Sequence, residues 1–345
     1  MRLSDFAYEL PERLIAQEPA TPRDASRMLV VNRAQKTWQD AHFADFPSFV
    51  QPNDAIVLNN TKVFPARLIG EKKASAGRVE LFLIRERETG IWEVLVKPAR
   101  RIGVGTQIKF STSSLCAEVV QCLEEGFRVV KLQCEGSLEQ ELERVGQTPL
   151  PPYIKRPGGS SPEDRKRYQT VYARRRGAIA APTAGLHFTS GILDAVSARQ
   201  AKIVELTLHV GYGTFEPIRV DEVDEHSVAP ERYEISQEAA TTINQSRACG
   251  GRVVAIGTTT ARALESAVDV AARVHPRNDF TNLTIRPGYR FRAVSALLTN
   301  FHLPESSLLV LVAAFAGRDL VLQAYRHAVE AEYRFYSYGD CMLII

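Results

Sequence analysis

The feature that most constrains the fold of this chain is a block of short β-patterned segments, from about residue 66 to residue 135, without a helical pattern. Alternating or short apolar runs recur through the block at 78–83, 92–96, 106–110, 117–120 and 127–132. A succession of short strands separated by glycine-containing turns predicts a small antiparallel barrel or sandwich. Ser137 followed by Gln140 is a capping-box pattern, which predicts a helix over 138–145 that ends the block.

Beyond residue 177, strand-like and helix-like segments alternate. The pattern predicts strands over 178–181, 202–210, 252–257 and 308–316, and helices over 190–199, 236–247, 261–274 and 319–334. Such alternation is typical of an α/β layer with a mostly parallel sheet. The apolar run 55–58, before the β block, is the predicted first strand of that sheet. We therefore predict an α/β fold: a mostly parallel-sheet α/β domain, discontinuous over 1–65 and 150–345, with an inserted antiparallel β-barrel domain over 66–149.

Composition excludes several functional classes. The chain has 43 Lys and Arg against 40 Asp and Glu, a net charge of +3, and 45% hydrophobic residues, which excludes a polycation or a disordered tail. The longest apolar run, 308–316, is shorter than the roughly 20 residues of a membrane span, and the charged N-terminus lacks a signal-peptide core. The 5 cysteines contain no Cys-x-x-Cys pair, which indicates free thiols in a reducing compartment. We expect a cytoplasmic protein without membrane contact.

Basic residues are concentrated where the two predicted units meet. A helix is predicted over 163–172 with Pro162 at its first position, and eight basic residues but two acidic ones lie between Lys155 and Arg176. Interleaved tyrosines could stack on bases beside phosphate contacts, whereas the alternative is a solvated helix face. A second basic group lies on the β block. The predicted nucleic-acid contacts from the two groups together are Lys97, Arg100, Arg101, Tyr153, Lys155, Arg156, Arg165, Tyr168, Arg174, Arg175 and Arg176.

Polar groups also stand at predicted strand ends. Thr258 and Thr259 follow a strand and Gly257, so their hydroxyls and N–H groups suit an anionic ligand, unless they only cap a helix. His187, His209 and His302 lie in segments rich in glycine and polar residues. Each can act as a general base, although a hydrogen-bonded structural histidine is the alternative. The absence of a His-x-x-x-His pattern or a carboxylate cluster predicts no metal site.

Taken in order, these segments resemble one family, the S-adenosylmethionine:tRNA ribosyltransferase-isomerases of queuosine biosynthesis. The resemblance runs from Phe6 to Ile345. It rests on YELP at 8–11, AQEP at 16–19, PRDASR at 22–27, LVKPAR at 95–100, LPPYIKR at 150–156, YQTVYA at 168–173, APTAGLHF at 181–188, LTLHVGYGTF at 206–215, TNFHLP at 299–304 and SYGD at 337–340.

The resemblance implies an activity and its partners. The family moves and isomerises the ribosyl part of S-adenosylmethionine, a co-substrate, onto 7-aminomethyl-7-deazaguanine at the wobble position of tRNA with a GUN-type anticodon. The products are epoxyqueuosine-tRNA, adenine and methionine, and neither a metal nor an obligate protein partner is implied. The family fold, an α/β domain with an inserted β-barrel, agrees with the fold predicted above.

Site residues follow from the motifs and the chemistry. The candidates for proton transfer are His187, His209 and Asp340, in that order. The predicted S-adenosylmethionine contacts are Asp24, Ser26, Arg27, Thr183, Gly185, Gly211, Gly213, Thr214, Thr258, Thr259, Thr299, Asn300 and His302. Among them, Asp24 and Arg27 suit ribose hydroxyls or the methionine carboxylate. Thr299, Asn300 and His302 suit the edge of adenine or deazaguanine.

The sequence departs from the family pattern at a few positions. Asn60 and Lys62 stand where Asp and Arg are usual, Ala229 where a second histidine is common, and Thr260 where a serine is common. Two other functions remain open. One is an inert tRNA-binding protein that keeps the fold. The other is a methyltransferase using S-adenosylmethionine, which is disfavoured because no glycine-rich first loop with a following acidic residue is present.

Overall fold

Two structural units make up the chain in the computed structural model, which describes residues 1–215 and 218–345. The larger unit comprises Met1–Lys62, Pro152–Lys155 and Arg167–Ile345. The smaller unit comprises Val63–Pro151 and Arg156–Lys166. Each unit is organised around a sheet of its own.

The described residues contain strands and helices with the following bounds. The strands are β1 (Arg27–Asn32), β2 (Thr37–His42), β3 (Ala55–Asn59), β4 (Thr61–Val63), β5 (Arg67–Lys72), β6 (Arg78–Glu88), β7 (Ile91–Lys97), β8 (Gln107–Lys109), β9 (Cys116–Cys122), β10 (Phe127–Gln133), β11 (Arg175–Ala178), β12 (Lys202–Leu208), β13 (Glu231–Ile235), β14 (Val253–Ile256), β15 (Arg277–Thr281), β16 (Ala296–Asn300) and β17 (Cys341–Ile344). The helices are α1 (Leu138–Val145), α2 (Pro162–Arg167), α3 (Ser190–Ala198), α4 (Gln237–Ala248), α5 (Thr258–Ser266), α6 (Ser307–Ala316) and α7 (Arg318–Glu330).

A nine-stranded sheet, in the order β15-β13-β12-β3-β14-β16-β17-β1-β2, forms the larger unit. Its centre is parallel, with Ile56 of β3 opposite Ile203 of β12 and Val254 of β14. Antiparallel pairings occur towards both edges. Every residue of β3, β14, β16 and β17 is buried, as expected where both faces of a sheet are covered.

Alternate residues of the central strands build one continuous apolar core. Ile56 and Leu58 point to the same face as Val254 and Ile256, because side chains on one face of a strand recur every second residue. Helix α3 and the preceding segment cover this face with Phe188, Ile192 and Val196, while Phe43 and Phe46 pack on Phe188 at 5.0 and 5.5 Å between ring centroids.

The smaller unit is a closed barrel of six antiparallel strands, in the order β10-β7-β6-β5-β8-β9. Gly70 is needed where β5 meets β8, because a Cβ there would lie 2.7 Å from the carbonyl oxygen of Lys109. Helix α1 begins as predicted, with Ser137 accepting a hydrogen bond from the Gln140 N–H at 3.4 Å. The predicted fold class, a mostly parallel α/β sheet together with an antiparallel β-barrel, is confirmed.

The strand predicted over 308–316 is wrong, because this apolar run forms helix α6. Ser306 caps the helix by accepting a hydrogen bond from the Leu309 N–H at 3.3 Å. A run that is apolar at every position has no periodicity, so it cannot distinguish a buried strand from a buried helix. No single helix in residues 1–215 and 218–345 has the length and apolarity of a membrane span. Helices α6 and α7 pass that test only as a pair, bent by 116°.

Other element bounds also differ from the prediction. The helix predicted over 163–172 ends at Arg167, and residues 168–172 form bends and a turn in which the Ala173 N–H donates to the Thr170 carbonyl at 3.3 Å. Helix α5 covers 258–266 rather than 261–274, and the strand predicted over 178–181 is β11, three residues earlier. The sheet begins with β1 rather than with β3.

Candidate active site

A cavity of about 360 Å³ opens at the carboxyl ends of the parallel strands in the larger unit. Val210 follows β12, Gly257 follows β14 and Asn300 ends β16, and all three line the cavity. In the sheet, β3 lies between β12 and β14, so the chain adds one parallel strand on each side of β3 and crosses over the sheet between them. Ligands of open α/β sheets bind at such a crossing, and this volume lies in the range of about 300–1,000 Å³ that is typical of small-molecule sites.

The start of α5 forms one wall of the cavity. Gly257 has φ of +96°, a left-handed backbone that favours glycine, so the chain turns directly from β14 into the helix. Thr258 and Thr259 line the cavity and are 6% and 9% exposed. Thr259 accepts a hydrogen bond from the side-chain amide of Asn59 at 3.4 Å. This wall therefore presents hydroxyls and the first N–H groups of a helix.

A buried histidine forms a second wall. His302 lines the cavity, and its Nε2 lies 2.8 Å from Oγ1 of Thr299. Its main-chain N–H donates to the Tyr325 hydroxyl at 3.1 Å, and its carbonyl accepts from Tyr8, so the backbone is held on both sides. Burial lowers the pKa of His302 to about 3. The imidazole is therefore neutral near pH 7 and offers one donor and one acceptor.

A chain of hydrogen bonds runs from Ser26 to the cavity wall. Ser26 Oγ lies 2.7 Å from Nδ1 of His187, and Nε2 of His187 lies 3.4 Å from Oδ1 of Asn300. Asn300 Nδ2 donates to the carbonyl of Tyr336 at 2.9 Å, which leaves Oδ1 to accept from the imidazole. His187 accordingly carries its proton on Nε2, and Ser26 donates to Nδ1. Burial lowers the pKa of His187 to about 4, so this ring is also neutral.

Three tyrosines, Tyr153, Tyr168 and Tyr336, contribute rings to the cavity. The rings of Tyr153 and Tyr336 meet edge to face, 3.9 Å between centroids, and the Tyr153 hydroxyl contacts Oγ of Ser337 at 2.5 Å. Tyr336 has φ of +75°, which is unfavourable for a bulky side chain. Sequence reasoning missed Tyr336, which immediately precedes the SYGD motif, because its backbone conformation has no sequence signal.

Comparison with known proteins identifies the family. The family described as "Queuosine biosynthesis protein" matches residues 3–344. The chain belongs to this family. A protein of Symbiobacterium thermophilum named S-adenosylmethionine:tRNA ribosyltransferase-isomerase is 49% identical over 345 residues, 100% of both chains. A crystal structure titled S-adenosylmethionine tRNA ribosyltransferase, from Thermotoga maritima, is 35% identical with a TM-score of 0.56, covering 99% of this chain and 100% of that one.

These similarities confirm the resemblance inferred from the motifs and make this member of the queuosine biosynthesis family an enzyme of the transferase class. The cavity gathers six of its predicted S-adenosylmethionine contacts: Thr183, Thr258, Thr259, Thr299, Asn300 and His302. Two predicted nucleic-acid contacts, Tyr153 and Tyr168, line it as well. Tyr168 is 1% exposed, so its ring lies in the cavity wall and not at the protein surface, and its contact with nucleic acid stays a prediction.

The three residues predicted to transfer protons in this family member do not line the cavity. His187 reaches it only through Asn300. His209 contacts Oγ1 of Thr61 through Nδ1 at 2.8 Å, and burial lowers its pKa. Asp340 is 2% exposed and accepts hydrogen bonds from the main-chain N–H groups of Arg27 and Arg334, at 3.0 and 2.8 Å. Its carboxylate therefore connects the start of β1 to the segment that precedes β17.

Asp24, Ser26 and Arg27 also lie outside the cavity lining. Asp24 accepts from the Thr189 hydroxyl at 3.3 Å. Arg27 stacks on Tyr333, 3.7 Å from guanidinium carbon to ring centroid, and donates to the Ala331 carbonyl at 2.6 Å. These contacts lie outside the cavity, whose lining does not include Arg27.

None of the predicted contacts Gly185, Gly211 and Gly213 lines the cavity, and two of them lie where the packing is close. A Cβ on Gly185 would lie 2.0 Å from the Tyr172 hydroxyl, and one on Gly213 would lie 3.0 Å from Cβ of Ala229. The N–H of Gly211 donates to Oε1 of Glu231 at 2.8 Å. The side chain of Thr214 lies outside the described part of the structure.

Exposure separates the predicted nucleic-acid contacts. The exposed ones are Lys97, Arg100, Arg101 and Arg165 in the smaller unit, and Lys155, Arg174 and Arg175 in the larger unit. Arg156 instead pairs with buried Asp164 through two hydrogen bonds of 3.0 Å, so it stabilises the fold locally. Arg176 is half-buried.

The departure at Asn60 has a local explanation. Asn60 Nδ2 donates to the carboxylate of Glu205 at 3.0 Å, and its Oδ1 accepts from the Thr207 hydroxyl at 2.7 Å. An aspartate in this place could not donate to Glu205 and would repel it. The amide therefore fits the neighbours that this chain provides.

Proposed function

We propose that this enzyme transfers and isomerises the ribosyl moiety of S-adenosylmethionine onto 7-aminomethyl-7-deazaguanine at the tRNA wobble position. The products are epoxyqueuosine-tRNA, adenine and methionine. The observation that carries the proposal is the cavity at the carboxyl ends of β12, β14 and β16 in a chain of this family. It combines a helix start, neutral hydrogen-bonding groups and aromatic rings.

The walls of the cavity suit different parts of the substrates. Thr258 and Thr259 offer hydroxyls and N–H groups to an anionic group. The neutral pair of His302 and Thr299 offers hydrogen bonds to the edge of an uncharged purine or deazapurine. The ring of Tyr336 offers a stacking surface for a planar base.

The reaction requires a proton acceptor near the sulfonium. The sulfonium acidifies the adjacent ribose carbon, and removal of that proton allows adenine to leave. The neutral substrate amine then adds to the opened sugar, and closure of the epoxide displaces methionine. We propose His187 first for proton transfer, then His209 and Asp340. His187 comes first because, among the described side-chain contacts of the three candidates, only that of His187 reaches a residue that lines the cavity, Asn300.

We further propose that the tRNA partner carries a GUN-type anticodon and that the reaction takes place in the cytoplasm. Exposed Arg174 and Arg175 in the larger unit and exposed Lys97, Arg100 and Arg101 in the smaller unit offer phosphate contacts. We also propose that residues 66–149 function as an inserted domain of an enzyme whose catalytic domain is 1–65 with 150–345.

The test is release of adenine and methionine from S-adenosylmethionine when tRNA bearing the aminomethyl deazaguanine is added. We expect turnover with this tRNA and none with the same tRNA carrying unmodified guanine. A preparation that binds the modified tRNA but releases no adenine, beside a working control enzyme, would instead support the inert tRNA-binding alternative.

A further inference from the structure

Two helices begin at the wall of the cavity. Gly257, Thr258 and Thr259 bring the start of α5 to it, and Ser306 and Ser307 bring the start of α6. These helices have 9 and 10 residues. The first N–H groups of a helix have no partner within the helix, and the aligned peptide dipoles make that end partly positive.

The two helix starts differ in how their N–H groups are satisfied. In α6, the Ser306 side chain accepts from the Leu309 N–H at 3.3 Å. In α5 the position before the helix is Gly257, which has no side chain and makes no cap hydrogen bond. The third N–H group of α5, from Thr260, therefore lacks the acceptor that Ser306 gives to the third N–H group of α6. Within the described residues, the N–H groups of Thr258 and Thr259 donate to no protein acceptor either. Buried donors without an acceptor are costly, so an acceptor from a ligand would stabilise this wall.

The Thr258 side chain gives a second, independent indication of a ligand. It lines the cavity and is 6% exposed, yet its hydroxyl has no hydrogen bond to any residue in the described part of the chain. In contrast, the hydroxyl of Thr260, two residues along, donates to the Ile256 carbonyl at 2.7 Å. The hydroxyl of Thr258 is therefore available to a bound group beside the free N–H groups of α5.

The charges around the cavity decide which anion fits. No lysine or arginine is among its lining residues in the described structure, and the charged residue there is Glu305. A doubly charged phosphate would lack a positive partner in this cavity. A carboxylate would have one if the same ligand molecule also carries cationic groups. In S-adenosylmethionine the only anionic group is the α-carboxylate, beside an ammonium and a sulfonium.

We propose that the start of α5, with the hydroxyl of Thr258, binds the α-carboxylate of S-adenosylmethionine. This inference rests on the proposed function and adds which wall holds the methionine end of the substrate. Glu305 then provides the counter-charge for the cationic part of the same molecule. The base-binding groups His302 and Tyr336 remain for the heterocycles.

The experiment compares S-adenosylmethionine with decarboxylated S-adenosylmethionine, which keeps both cationic groups, by titration calorimetry. We expect the wild-type chain to prefer the carboxylated ligand, and Thr258→Val to lose roughly tenfold in its affinity for that ligand alone. Thr258→Ser restores the hydroxyl and should restore the preference. Thr241→Val, on the exposed side of α4, is the matched control and should bind both ligands as the wild type does.

Several outcomes overturn the inference. One is equal wild-type affinity for the two ligands, and another is an equal loss for both ligands in Thr258→Val. A third is that Arg27→Gln loses affinity for the carboxylated ligand alone while Thr258→Val binds it as the wild type does. That result would assign the carboxylate to Arg27. The proposed function is judged separately by adenine release from the wild-type enzyme. If the wild-type enzyme releases adenine but binds both ligands equally, only this inference is rejected. If it prefers the carboxylated ligand but releases no adenine, only the proposed function is rejected.

Discussion

Asn300 holds the backbone of Tyr336 through a hydrogen bond of 2.9 Å from its Nδ2 to the Tyr336 carbonyl. The N–H of Tyr336 donates to the Phe301 carbonyl at 3.1 Å, so the peptide groups on both sides of its left-handed Cα are fixed from the end of β16. A strained conformation persists only where its surroundings enforce it. The Ser26–His187–Asn300 chain thus supports the placement of an aromatic ring in the cavity.

Replacing Asn300 should disturb binding in the cavity as well as stability. Asn300→Ala removes the donor to Tyr336 and the acceptor for His187, which should lower the free energy of unfolding by about 1–3 kcal/mol. Because the ring of Tyr336 loses its support, we expect KM to rise about tenfold while kcat falls less. Initial rates of adenine release and urea unfolding measure the two effects. A change in stability with unchanged KM would show that Asn300 has only a structural role.

Tyr336 itself should act through its ring rather than through its hydroxyl. No hydrogen bond from this hydroxyl is found among the described residues, so Tyr336→Phe should retain wild-type kinetics. Tyr336→Ala removes a stacking surface worth about 1–3 kcal/mol per base, and we expect a roughly tenfold or larger rise in KM for the substrate whose base it contacts. Varying S-adenosylmethionine and tRNA separately identifies that substrate. Equal kinetics for the Phe and Ala variants would contradict the stacking role.

Much of the fold follows from periodicity alone. The barrel strands alternate apolar and polar residues, and α3 and α4 begin at hydroxyl caps, Thr189 and Ser236, so both types of element were predictable. Strands β1, β16 and β17 were missed, whereas β3 and β14, which are also buried throughout and do not alternate, were predicted from their apolar runs. Because an apolar run without alternation fits a buried strand and a buried helix equally well, α6 was mistaken for a strand. Tertiary burial, not local preference, decides such segments.

The candidate site was predictable where a motif coincides with a strand end. Thr258, Asn300 and His302 fall in this class, and the structure brings them together. His187 and Asp340 lie in equally distinctive motifs, but their side chains are hydrogen-bonded within the protein. A motif singles out a position in the sequence, whereas only the packing shows whether the side chain there meets a ligand or a neighbouring chain segment.

The buried histidines should make stability depend on pH. Burial lowers the pKa of His187 to about 4 and of His302 to about 3, against about 6.5 for an unfolded chain. As pH falls below about 6.5, the unfolded state binds protons that the folded state does not, so stability falls until each folded-state pKa is passed. Each histidine contributes a slope of up to roughly 1.4 kcal/mol per pH unit in that window. Urea unfolding between pH 7.5 and pH 5 measures it.

A variant isolates one of these contributions. His302→Asn replaces the imidazole by a group that does not titrate. The slope of the free energy of unfolding against pH, below pH 6.5, should therefore decrease by up to roughly 1.4 kcal/mol per pH unit, the contribution of one proton. The variant is expected to be less stable at pH 7.5, since the contact with Thr299 changes, and only the slope is diagnostic. A slope identical to that of the wild type would mean that His302 does not remain neutral in the folded state.

Gly257 should resist replacement although space is available around it. A Cβ there would meet Cβ of Ala184 at 3.7 Å, an ordinary contact, but φ of +96° is unfavourable for any L side chain. We expect Gly257→Ala to cost about 1–3 kcal/mol of stability. Gly191, inside α3, is the matched control, because alanine there should be neutral or stabilising. Equal effects of the two substitutions on the urea midpoint would show that the backbone of Gly257 is not strained.

The exposed arginines after Tyr172 should account for part of the salt dependence of tRNA binding. Arg174 and Arg175 are exposed, and Arg174 is paired with Glu205. If both contact phosphates, Arg174→Gln with Arg175→Gln should weaken binding and reduce the slope of log K against log salt by roughly one to two. The charge-matched control replaces exposed Arg13 and half-buried Arg318 by Gln, which should leave the slope unchanged. Equal slopes for both double variants would remove Arg174 and Arg175 from the tRNA contact surface.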